Sequence, residues 1–125
     1  MSHTKPSELE MQVLAVLWDH GACTVRKVLD LLPDGKNRAY TTVLSVMQML
    51  EKKKLVAHDR QGNANLYRPL QSRETIIKPF MGQLISNVFG GSRLRLVESL
   101  LGSEKMDAEE LAQLEKLIKK YAREG

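Results

Sequence analysis

Between residues 7 and 70, three short apolar stripes of helical period, each closed by a turn signal, precede two β-capable runs around a Gly-Asn turn. That order leaves few ways to build a core. Ser7 followed three residues on by Glu10 makes a capping-box start, and Leu9, Val13, Leu14, Val16 and Leu17 recur at helical spacing until Trp18 closes the run. Asp19-His20-Gly21 ends it on a glycine able to take positive φ. Thr24 caps a second helix with the stripe Val25, Val28, Leu29 and Leu32, leaving Arg26, Lys27 and Asp30 in water, and Pro33-Asp34-Gly35 stops it. A third helix, residues 39 to about 53, turns Val43, Val46, Met47 and Leu50 to the core. Residues 55–60 and 64–70 then flank Gln61-Gly62-Asn63 as a hairpin. The expected fold is mainly α, a three-helix winged helix-turn-helix of α+β type with the hairpin as its wing.

From Ser72 the pattern changes. Ile77, Phe80, Met81, Leu84, Ile85, Val88 and Phe89 follow a helical register, with Pro79 either near the first turn or kinking the helix, and Gly90-Gly91 breaks it. A short helix from about residue 92 to 101 carries Leu94, Val97, Leu100 and Leu101. Asp107 with Glu110 makes a second capping box that opens a last helix striped by Leu111, Leu114, Leu117, Ile118 and Tyr121. Three short helices cannot easily hide that much apolar surface among themselves. The tail either folds back on its own winged helix or pairs with a second copy, and a two-fold pair is the commoner solution. The chain is expected to divide into a winged-helix domain, residues 1–71, and a helical dimerisation domain, residues 72–125. Its pairing surface is expected to be Phe80, Leu84, Val88, Leu94, Val97, Leu111, Leu114 and Ile118.

The third helix has an unusual outer face. At 100° per residue, the side opposite its core stripe carries Thr41, Ser45, Gln48 and Lys52, short polar groups in place of the Glu/Lys ladder of an ordinary solvated face. Such side chains can reach base edges and phosphates when a helix lies in the major groove. Arg60, Asn63 and Arg68 lie on or near the wing, where each could clamp a phosphate. Charge agrees: 19 Lys and Arg against 15 Asp and Glu give +4, and most of the excess falls in residues 1–70.

Other chemistry finds little footing. One cysteine, Cys23, excludes an internal disulfide framework and a multi-thiolate metal site. Histidines 3, 20 and 58 are scattered, and His20 with Cys23 makes only two ligands. No phosphate loop, zinc-finger spacing or catalytic set emerges, so no enzyme, cofactor or metal is expected. The apolar run Val13 to Trp18 is too short to span a bilayer, and Met1 to Lys5 lacks the apolar core of a secretory signal. A cytoplasmic protein without a membrane partner is expected.

Five segments in this order, Leu14-Ala15-Val16-Leu17-Trp18, Ala39-Tyr40-Thr41-Thr42-Val43, Leu50-Glu51-Lys52-Lys53-Lys54-Leu55-Val56, Tyr67-Arg68-Pro69-Leu70 and Phe89-Gly90-Gly91-Ser92, resemble the penicillinase-repressor family of bacterial regulators. That family includes the β-lactamase, methicillin-resistance and copper-operon repressors. The resemblance implies a winged helix with a helical dimerisation tail, and a homodimeric repressor of a two-fold-symmetric double-stranded DNA operator. It places recognition-helix contacts on Tyr40, Thr41, Thr42, Leu44 and Ser45, and wing contacts at residues 60–63. Two positions depart from the family. Met49 stands where relatives often have Arg, and Lys54 where they usually end the helix with Gly, so a positive-φ lysine or a different cap is expected. The resistance repressors' cleaved Asn-Phe bond would fall near Glu98-Ser99, and the copper repressors' C-terminal cysteine pairs have no counterpart. The releasing signal, an inducer or a sensor protease, is left open. The competing reading is a winged helix used as a protein-interaction module without specific DNA binding.

Overall fold

The structure, a computed structural model, describes residues 6–103 and 105–124. Three helices, α1 (Glu8–His20), α2 (Val25–Leu31) and α3 (Tyr40–Lys52), are followed by strands β1 (Val56–Gln61) and β2 (Ala64–Pro69) and by helices α4 (Arg73–Val88), α5 (Arg93–Ser103) and α6 (Ala108–Glu124). The chain divides into two compact units, Met1–Phe80 and Met81–Gly125.

In the first unit the expected stops and starts form. Ser7 Oγ accepts from Glu10 N while Glu10 Oε1 accepts from Ser7 N at 2.8 Å, completing the capping box, and Gly21 takes φ 80° at the far end of α1. Thr24 Oγ1 caps α2 by accepting from Lys27 N at 3.1 Å. Between α2 and α3 a 3₁₀ turn, Gly35–Asn37, was not foreseen. A Cβ on Gly35 would sit 1.9 Å from Leu29 O, so only glycine fits that turn.

Val13, Leu14, Leu17, Val28, Val43, Met47 and Leu50 are fully excluded from solvent, and α3 packs on both α1 and α2 through them. Val46, expected in the core stripe, is only half-buried at its margin. The hairpin is antiparallel, pairing Gln61 with Ala64 across the two-residue turn Gly62-Asn63, where Gly62 alone has positive φ, as a type II′ turn requires. Tyr67 joins this wing to the helices. It exchanges backbone hydrogen bonds of 2.8 Å with Cys23 in both directions, and its ring is buried. Cys23 is itself buried, and burial pushes its thiol up against a weaker opposing pull from Lys27. That disfavours a reactive thiolate.

The end of α3 settles the Lys54 question. Leu55 N donates to Leu50 O at 2.9 Å and Lys54 N to Glu51 O at 3.0 Å, the two bonds of a Schellman cap, with Lys54 at φ 63° in the position that favours glycine. Next to it, Lys53 Nζ donates to both oxygens of the buried Glu10 carboxylate at 3.0 and 3.1 Å, tying the end of α3 to the start of α1. Burial alone would raise the Glu10 pKa. The bonds from Ser7 N and Lys53 outweigh it and hold the carboxyl below the ordinary glutamate value.

Helices α4, α5 and α6 are built on Ser72, Ser92 and Asp107, whose side-chain oxygens accept from Thr75 N, Arg95 N and Glu110 N. The returning half of the box expected from Glu110 is not among the described bonds. Pro79 lies inside α4, beyond its first turn, where it cannot donate to Thr75 O. Gly90 and Gly91, both at positive φ, end that helix, with Gly91 N returning to Ile85 O at 2.8 Å. Among the described residues of α4, α5 and α6, none is buried. Three helices, a paired wing and the added helices make a winged helix with a helical tail.

Two stability outcomes follow. Lys54→Gly should stabilise the protein by about 0.5–1 kcal/mol, the left-handed penalty relieved less the extra freedom glycine gives the unfolded chain, read as a higher urea midpoint at unchanged slope. Because the folded Glu10 pKa is depressed, its contribution is present above the ordinary value of 4.5 and lost as pH falls through the folded value. Urea titrations from pH 7 to 3 should therefore show Glu10→Gln less stable at neutral pH, with the gap to wild type narrowing in acid; parallel curves would refute the assignment.

Candidate nucleic-acid interface

With Val43, Met47 and Leu50 turned inward, α3 presents Thr41, Ser45, Gln48, Met49 and Lys52 to solvent. This outward side falls away into two flanks. On one, Tyr40, Leu44 and Gln48 line a groove of about 470 Å³ with Thr24, Val25 and Arg26 of the α2 entrance and with Arg60, Asn63, Ala64, Asn65 and Tyr67 of the wing. On the other, Thr42 and Ser45 line an open depression with Val46 and Met49 of α3, with Lys53 just beyond its end and with Ser7 and Glu10 at the start of α1. Of the ten residues expected to meet DNA, the structure thus gathers Tyr40, Leu44, Gln48, Arg60 and Asn63 in one groove. Thr42 and Ser45 lie on the far flank, Thr41 stands on the crest between, and Lys52 is exposed at the end of the helix.

Arg68 stands apart from them. Strand side chains alternate faces, so Val56, His58, Arg60, Asn65 and Tyr67 share the side of the hairpin that carries its two buried residues, while Ala57, Asp59 and Arg68 share the other. Arg68 Nε is also paired with Asp59 Oδ2 at 3.0 Å, whereas among the described residues Arg60 donates from Nε to the Gly62 carbonyl alone, at 3.2 Å, bending the side chain over the turn. Arg60 is therefore the better presented of the two wing arginines.

A second link fixes the wing to α3. His58 Nδ1 lies 2.7 Å from Glu51 Oε1, and its ring packs at 47° on Tyr67 with centroids 5.2 Å apart. At the base of the domain, Trp18 Nε1 donates to Gln71 O at 2.9 Å, and the Arg73 guanidinium covers the indole while pairing with Asp19 at 2.6 Å. Trp18 is thus a structural anchor between α1 and the start of α4.

Two groove residues escaped the sequence reading. Arg26 looked like part of a solvated face of α2, yet its guanidinium carbon lies 5.1 Å from the centroid of the Tyr40 ring, and Asn65 shares the Tyr67 face of β2. The available signal was the helix-turn-helix itself, which brings the first turns of α2 and α3 together. His3 lies outside the described residues. Among those described, no group of three or more His, Cys, Asp or Glu side chains is placed to hold a metal ion, and no helix is long and apolar enough to cross a membrane.

Residues 6–120 match the family described as penicillinase repressor. The chain is 33% identical over 119 residues to the transcriptional regulator BlaI of two Mycobacterium tuberculosis strains, covering 90% of this chain and 86% of the relative. It is 20% identical over 115 residues to the penicillinase repressor of Bacillus licheniformis, covering 92% and 90%. Among solved structures, its fold is similar to a MarR family protein from Bacillus stearothermophilus, with a TM-score of 0.54, 22% identity and coverage of 94% of this chain and 74% of that one. Bordetella bronchiseptica BpsR, whose DNA binding is regulated by 6-hydroxynicotinic acid, gives a TM-score of 0.50 at 20% identity, covering 94% and 80%.

Proposed function

The chain belongs to the penicillinase-repressor family and is a DNA-binding transcriptional repressor; from that premise we propose that two copies bind a palindromic operator, each laying α3 in the major groove while its wing grips the flanking backbone. The observation that carries this reading is the outward face of α3. Its side chains are small or amide-bearing along the crest, and the aromatic, amide and arginine groups beside it converge in one groove with the wing. Thr41, Ser45 and Gln48 are the base readers in this account. Leu44 and Met49, the latter 47% exposed, offer apolar surface to thymine methyl groups. Lys52, Arg60 and Asn63 bind phosphates, with Arg68 held in reserve by Asp59.

The exposed tail supports pairing. Leu84, Val88, Leu94, Val97, Leu111 and Ile118 are each 39–70% exposed, and Phe80 and Leu114 are only partly covered. A chain leaving so many aliphatic side chains in water gains by burying them against a second copy, at roughly 25 cal/mol per Å² of apolar surface removed from water. The functional division proposed remains residues 1–71 for DNA and 72–125 for dimerisation. The protein acts in the cytoplasm, where its operator lies, and carries out no reaction of its own. Release by an inducer or a sensor protease is compatible with this design, although the family's cleavage position, near Glu98-Ser99, lies within α5.

Two measurements test the reading together. Sedimentation equilibrium with an operator duplex should give two chains per duplex, and one chain per duplex would refute the dimer. Thr41→Ala should change base preference at its contacted position by about 1–3 kcal/mol, measured by competition among single-base variants. Equal weakening on every variant would remove Thr41 from the base readers.

A further inference from the structure

Arg26 is one of the groove residues that neither the helical period nor the family resemblance selects. It lies in the first turn of α2, where a helix dipole favours acids and gives an arginine no support. Among the described residues its side chain forms no ion pair and no side-chain hydrogen bond, and its one described partner is the ring of Tyr40, over which the guanidinium lies at 5.1 Å. Tyr40 is itself 41% exposed and opens α3. A cation resting near an aromatic ring forms no hydrogen bond to it, so this contact uses none of the five N–H donors of the guanidinium. The Arg26 side chain lines the groove that also holds Gln48, Arg60, Asn63 and Asn65.

We propose that Arg26 is a backbone-phosphate clamp on the operator, and that Tyr40 acts chiefly as the aromatic platform that positions it. This rests on the operator reading above and deepens it. The phosphate ladder beside a helix seated in the major groove is the anion that a planar, multi-donor cation at this edge would meet. Arg60 then holds the wing side of the same groove and Arg26 the α2 side, so α3 is braced on both edges by sequence-independent contacts. In this account Arg26 contributes affinity and salt dependence, not base preference. Tyr40 acts through Arg26 and carries little of the readout itself.

The test measures binding of the full chain to an operator duplex and to a scrambled duplex of equal length, across a salt series. Arg26→Gln should weaken both duplexes by the same factor and flatten the slope of log affinity against log salt by about 0.9 for each chain bound. Arg26→Lys should keep the slope. Tyr40→Leu should weaken both duplexes, Tyr40→Phe should restore wild-type binding, and Tyr40→Leu should add nothing in an Arg26→Gln background. An unchanged slope in Arg26→Gln, or a loss confined to the operator, overturns the clamp. A Tyr40→Leu effect that persists undiminished in the Arg26→Gln background overturns the platform. The wild type alone tests the operator reading, because it must prefer the operator duplex; without that preference both inferences fall.

Discussion

Everything the first unit presents to a partner depends on how α3 is clamped. Val43, Met47 and Leu50 have no freedom to leave a core in which Val13, Leu14, Leu17 and Val28 are equally excluded from water. A helix held by a stripe on one side can present only the opposite side, so the core stripe decides which residues face outward. The ends of the helix sharpen that constraint. The Schellman cap through Lys54 and Leu55 stops it, and the ion pair from Lys53 to the buried Glu10 carboxylate fixes it to the first turn of α1. The same Glu10 completes the cap of α1, so one carboxylate serves both the start of the first helix and the end of the third. Strain at Lys54 is tolerated because the cap it closes holds the helix whose direction matters most.

The wing is oriented by equally specific means. Tyr67 is the hub: its backbone pairs with Cys23 between α1 and α2, its ring fills the core, and His58 packs on it while reaching Glu51 near the end of α3. A two-stranded hairpin alone is marginal in water. These contacts supply the rigidity that places Arg60 and Asn63 beside α3. The tail follows the opposite logic, since its helices keep their apolar stripes exposed within one chain, and in the proposed dimer that surplus becomes the interface.

Much of this was legible in the sequence because local signals agreed with the tertiary result. Ser7 with Glu10, Thr24, Gly21 and the Gly62-Asn63 turn each specify a stop or start by their own chemistry, and the structure places all of them where they were expected. The positive φ of Lys54 was one of two outcomes expected from the missing glycine. What stayed hidden was whatever depends on distance across the fold. Periodicity cannot show that Cys23 pairs with Tyr67, that Glu10 is buried beneath Lys53, or that Arg26 rests on Tyr40, since each joins residues from separate elements. It also could not separate Arg60 from Arg68, because the face of a strand residue is known only once the buried partner, Tyr67, fixes the register. Val46 marks the same limit on a helix, where a 100° wheel places it in the stripe and packing leaves it at the edge.

Whether the clamped face of α3 reads sequence as part of a symmetric pair is decided by selecting genomic DNA fragments with the purified full chain at physiological salt. The retained fragments should share a two-fold motif whose half-sites lie about one helical turn, roughly 10 base pairs, or a multiple of it apart. Retained fragments with no common motif would contradict symmetric readout, and would point to a winged helix whose exposed face serves protein partners instead.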